Sequence, residues 1–175
     1  MNNLSPLTFL PPSIALILVI TLYFLLKRQV CNVSNFKRFS FLTITLAFLF
    51  NFIWEMVQMP LFQGMTFNVK ATFFCTLAAV ADGIMTLLLY FVFAFIYNEP
   101  LWAKNLTVLR TIALMILGGF GAIIAEVWHT SLGDWAYAES MPLLPFVNVG
   151  LSPILQFMML PAIIYYLSFR SLRFL

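Results

Sequence analysis

The chain has 175 residues, of which 63% are hydrophobic and only 9% charged, with a mean hydropathy of +1.00. Soluble domains average about 45–50% apolar and about 25% charged, so an ordinary water-soluble globule is excluded, and 20 Phe exclude a disordered chain. The net charge of +3 is too small and too scattered for a nucleic-acid surface, which leaves a lipid bilayer as the partner and solvent of most of the chain.

A membrane-spanning helix needs about 20 apolar residues. Five stretches qualify, at about 7–26, 39–59, 71–97, 111–128 and 144–169, and a helix satisfies its own backbone in lipid. The expected fold is all-α: a polytopic membrane helical bundle forming a single domain over residues 1–175. The first run has no Lys or Arg before it and ends in Lys27-Arg28, so it reads as a retained helix rather than a cleaved signal. Pro11 and Pro12 fit its first turn, where a missing N–H costs little. The last run contains Pro145, Pro153 and Pro161. These prolines kink it or divide it into a short dipping segment over 141–153 and a span. Cys31 and Cys75 fall at different depths and are not expected to pair.

The basic residues set the topology. Lys27, Arg28, Lys37, Arg38, Lys104, Arg110, Arg170 and Arg173 fall on one side of such a bundle, and only Lys70 on the other. Short loops rich in Lys and Arg stay in the cytoplasm, which places the N-terminus outside and the C-terminus inside. These cations are read as topology determinants, and Glu99 as a solvated residue near Lys104.

The acids do not follow that rule. Glu55 falls about one turn below the outer end of span two. Asp82 falls about 16 Å deep in span three, at 1.5 Å per residue, and Glu126 falls near the end of span four. Asp134 and Glu139 fall in the outer loop after it. An ionised residue at the centre of a membrane helix costs about 2.5–3.5 kcal/mol, and such residues usually face the bundle interior. The spacing agrees. Asn51, Glu55 and Gln58 share a face of span two, and Cys75, Ala79, Asp82 and Thr86 a face of span three. Gly118, Ala122, Glu126 and His129 share a face of span four, and Ser152 and Gln156 are four apart in span five. Turned inward, these stripes make a polar pocket in the outer half of the bilayer. Glu55, Asp82 and Glu126 are its candidate catalytic acids and bases, and Asn51, Gln58, His129 and Gln156 its candidate ligand-binding groups.

Glu126 and His129 have the Glu-x-x-His spacing of carboxylate-bridged metal bundles. A single His makes a poor zinc site, so no metal and no other cofactor is expected; His129 is read as orienting Glu126 or capping the helix. Trp54, Trp128, Trp135 and Tyr137 fall at the outer interface, as an aromatic belt or as a wall for an apolar or cationic ligand.

Two segments carry a resemblance. Asn51, Trp54, Glu55, Gln58 and Pro60 form one. Glu126, His129, Gly133, Trp135, Tyr137, Met141 and Pro142 form the other. Together they resemble a family of small bacterial inner-membrane proteins, which implies that location. The Asn-x-x-Trp-Glu segment is also similar to integral-membrane terpene cyclases, and Gly-x-Trp-x-Tyr before a proline-rich stretch is similar to membrane carotenoid cyclases and hydratases. That similarity implies that Glu55 protonates an alkene or epoxide of an isoprenoid and that Asp82 or Glu126 assists or takes the proton back. It also implies that Trp54, Trp135 and Tyr137 line the pocket. The expected function is therefore acid–base chemistry on an isoprenoid or other hydrophobic lipid ligand. A small proton- or ion-coupled transporter or channel and a non-catalytic membrane subunit are the alternatives, and a homo-oligomer is compatible with each.

Overall fold

A computed structural model describes residues 6–173, with side chains to Leu172; the Arg173 side chain, one of the cations read from the sequence as topology determinants, lies outside the described residues. A single 3-10 turn, Pro6–Phe9, leads into α1 (Leu10–Lys27). There follow α2 (Val33–Gln58), α3 (Val69–Ile96), α4 (Val108–Leu132) and α5 (Leu151–Arg173). All five helices are long and apolar enough to cross a membrane.

Local chemistry starts and stops them. Asn32 Oδ1 accepts from the Asn35 N–H (3.0 Å), Asn68 Oδ1 from the Ala71 N–H (2.9 Å) and Thr107 Oγ1 from the Arg110 N–H (3.3 Å), capping α2, α3 and α4. Proline occupies the first turn of α1, as the sequence implies. At the end of α4, Gly133 takes the left-handed conformation (φ 71°), and the N–H groups of Gly133 and Asp134 close back on Thr130 and His129.

Several boundaries differ from expectation, α2 starting at Val33 rather than 39 and α4 at Val108 rather than 111, and two of the differences bear on the site. α4 runs on to Leu132, so His129 lies in its last turn rather than in a loop. The fifth span begins at Leu151, not 144. Residues 143–150 form a small hairpin instead, Leu143–Leu144 pairing antiparallel with Val149–Gly150. Pro145 falls in the hairpin turn, and Pro153 in the first turn of α5, where no intrahelical N–H is lost. Pro161 alone lies inside the helix. It deprives the Phe157 carbonyl, four residues earlier, of its donor. That carbonyl faces Gly118 of α4, where a Cβ would overlap its oxygen. The glycine lets α4 and α5 touch backbone to backbone, the close approach that small residues permit between membrane helices.

The helices do not pack in chain order. α1 lies on α3, α3 on α2, α2 on α5 and α5 on α4. An aromatic core fills the end that carries the α1–α2 and α3–α4 loops: Phe36, Phe39, Tyr90, Phe91, Trp102 and Tyr165 are fully buried there. Trp102, from the short α3–α4 loop, stacks on Tyr90 at 5.4 Å and donates its indole N–H to the Tyr90 carbonyl. Glu99 is partnered by Arg110 (3.2 Å) rather than by Lys104. Arg110 also donates to the Trp102 carbonyl, so it fastens this loop as well as carrying charge. Cys31 and Cys75 are free thiols.

Candidate functional site

α3 and α4 do not pack closely on one another, and a cavity of about 670 Å3 opens between them at the end opposite the aromatic core. That volume is within the usual range for small-molecule sites, about 300–1,000 Å3. The walls come from α3 and α4, the floor from α2 and α5, and one side from the start of α1. Most of the lining is apolar. Glu55, Asp82, Glu126 and Asp134 all line it, and no Lys or Arg does among the described residues.

Gln156 is the hub of the deeper polar group. Its Nε2 donates to Asn51 Oδ1 (2.8 Å) and to Asp82 Oδ2 (2.9 Å). Its Oε1 accepts from Gln58 Nε2 (3.2 Å), which also donates to Glu55 Oε1 (2.6 Å). Ser152 donates to Gln58 Oε1 (2.8 Å), and Asn51 returns its own Nδ2 to the Ala47 carbonyl. Four side chains from α2 and α5 thus hold Glu55 and Asp82 in place. The two carboxyls are close electrostatic neighbours, and Glu126 acts on both. They belong to different depths by residue count, and helix geometry brings them together. Side chains lean toward the N-terminus of their own helix. α2 and α3 run in opposite directions, so Glu55 leans inward and Asp82 leans back toward the loops.

A second polar group sits nearer the mouth. Glu126 Oε2 accepts from the Tyr137 hydroxyl and from the Trp135 indole N–H (3.1 Å). Those two donors stand on the α4–α5 loop, which is pinned to the α2–α3 loop: Gln63 N–H donates to the Ala136 carbonyl and Ala138 N–H to the Leu61 carbonyl. Gly150 leaves room for the Tyr137 ring, since a Cβ there would stand 2.9 Å from it. Burial, and next the charge of Glu126, raise the Tyr137 phenol above its ordinary range.

His129 does not orient Glu126. Its Nδ1 pairs with Asp134 Oδ2 (2.8 Å), and its ring stacks on Trp135 with centroids 4.4 Å apart. Asp134 Oδ1 accepts from Thr8 at the start of the chain (2.7 Å). No group of three His, Cys, Asp or Glu is arranged to hold a metal among the described residues.

Of the residues singled out from sequence, Glu55, Gln58, Asp82, Glu126, His129, Trp135 and Gln156 line the cavity, while Asn51 and Tyr137 support it from behind. Trp54 does not reach it; that ring is half-buried against the main core, and its N–H has no partner. Trp128 is 38% exposed on the outer face of α4. Sequence reasoning passed over Thr8 and Asp134, while Ser152 lies on the stripe it shares with Gln156 and donates to Gln58. The Asp134 role was partly legible, because an αL glycine directly after a helix turns the next residue back over the last helical turn. Thr8 gave no signal, being an ordinary polar residue at the edge of an apolar run. No family model matches this chain, no curated protein is similar to it, and no solved structure matches its fold.

Proposed function

We propose that the protein is a multi-pass protein of the bacterial inner membrane whose cavity binds an isoprenoid or similar lipid and carries out acid–base chemistry on it. The basic end, with the α1–α2 and α3–α4 loops, faces the cytoplasm, and the cavity opens in the outer half of the bilayer. The observation that carries the reading is the convergence of Glu55, Asp82 and Glu126, from three helices, on one largely apolar cavity lined by no Lys or Arg among the described residues. Structural packing alone gives no reason for three carboxyls to share such a space, since each is costly in lipid. Two carboxyls in mutual reach can hold a proton between them and give it to a bound alkene. The apolar walls keep bulk water from intercepting the charged species that forms. The Gln58–Gln156 pair fixes both carboxyls, so that donor and ligand meet without reorganisation.

The test does not require a defined substrate. Purified protein is incubated with an isoprenoid-rich lipid extract in D2O, and the lipids are analysed by mass spectrometry. Protonation of carbon from solvent-exchanged carboxyls installs deuterium. Deuterium incorporation that is lost in Glu55→Gln, with an unchanged unfolding profile, is the expected result. Incorporation that survives in Glu55→Gln, or none with the wild-type protein, overturns the proposal.

A further inference from the structure

The mouth of the cavity has a polar constellation that the carboxyl chemistry shares only through Glu126. Asp134 is 5% exposed and fully engaged, holding Thr8 with one oxygen and His129 Nδ1 with the other. A carboxylate on Nδ1 fixes the imidazole in the tautomer that carries its proton there. The stacked Trp135 ring fixes its plane. Nε2 is then a bare acceptor on a cavity-lining residue, with no partner among the described residues. One turn away, Glu126 is 8% exposed, and only its Oε2 is engaged. Its Oε1 has no partner, yet does not count among the sealed, partnerless atoms, so it is open to the cavity.

We infer that His129 Nε2 and Glu126 Oε1 form a head-group subsite that takes the uncharged hydroxyl of a long-chain lipid alcohol. Both atoms accept hydrogen bonds, and a hydroxyl donates one. The absence of Lys and Arg from the lining, with four acids present, excludes the phosphate or diphosphate ester of the same alcohol: its charge would be desolvated among like charges. The apolar walls between α3 and α4 hold the chain below the head group. The inference rests on the proposed function only in using the same cavity, and it names which end of the ligand sits where.

His129 is the sole histidine, so 15N-histidine labelling gives one reporter for this subsite. In detergent or nanodiscs, the wild-type spectrum should show the Nδ1–H tautomer, and farnesol should shift the Nε2 line in a saturable way. Farnesyl phosphate should bind at least about tenfold more weakly, about 1.4 kcal/mol or more. Asp134→Asn should mix the tautomers. An Nε2–H tautomer, an Nε2 line indifferent to farnesol, or an equal response to farnesyl phosphate overturns the inference, and the wild-type titration alone can deliver each of these. Deuterium transfer that depends on Glu55 beside an unresponsive His129 removes the subsite and leaves the acid–base reading standing. A responsive His129 without deuterium transfer does the reverse.

Discussion

Replacing Gln156 by leucine keeps the volume of the side chain and removes its three hydrogen bonds, to Asn51, Asp82 and Gln58. Hydrogen bonds inside membrane proteins average about 0.6 kcal/mol, so the three together contribute about 2 kcal/mol. Asn51 and Gln58 keep other partners, but Asp82 loses its amide donor, and a buried group left under-satisfied adds about 1–3 kcal/mol. Gln156→Leu should therefore destabilise the protein by about 3–5 kcal/mol. Ser152→Ala removes one bond, to Gln58, and should cost about 0.6 kcal/mol. Equilibrium unfolding in mixed detergent micelles, followed by tryptophan fluorescence, measures both. A double-mutant cycle with Asp82→Asn should show coupling above about 0.5 kcal/mol. A Gln156→Leu protein within about 0.5 kcal/mol of wild type would refute the claim that this glutamine organises the site.

Two of the three glycines of α4 should respond with opposite signs. Gly118→Ala drives a methyl into the Phe157 carbonyl and should cost about 1–3 kcal/mol by overpacking, outweighing the gain of up to about 1 kcal/mol in helix propensity. Gly121→Ala meets nothing within 4 Å and should be neutral or stabilising by up to about 1 kcal/mol; equal effects in thermal melts would contradict the packing described. Tyr137 gives a pH signature. Its phenol is raised in the folded state, first by burial and then by Glu126, so the folded protein holds that proton more tightly than the unfolded chain. The resulting stability is fully present below about pH 10 and is lost as pH rises above it. Between about pH 9 and about pH 12 the wild-type Tm should fall more steeply than that of Tyr137→Phe, and parallel slopes would disprove the coupling.

The class of the molecule and the faces of its helices were written in local pattern. Twenty-residue apolar runs fold as helices in lipid whatever their neighbours, because the backbone has no other partner there. The stripes of Asn51, Glu55 and Gln58, and of Asp82 and Thr86, follow from the helical period alone. Local pattern misled at the edges. The run through Pro145 reads as part of a span because hydropathy does not register the hairpin that its turn residues make. Trp54 shares a motif with Glu55, but adjacent helical residues point about 100° apart, so the acid reaches the cavity while the indole meets the core.

What the sequence determined by itself is the five long apolar helices and the polar stripe on each inward face, since each depends on residues within one or two turns. What tertiary structure decided is the site. Glu55 meets Asp82 only because α2 and α3 run antiparallel and their side chains lean toward one another. His129 turned from Glu126 to Asp134 because Gly133 reverses the chain and Thr8, 126 residues away, secures the other carboxylate oxygen. The cavity exists because α4 packs on α5 rather than on α3, a packing in which Gly118 meets the carbonyl that Pro161 leaves without its helical donor. Such pairings depend on which helices become neighbours, and no periodicity within a single helix records that.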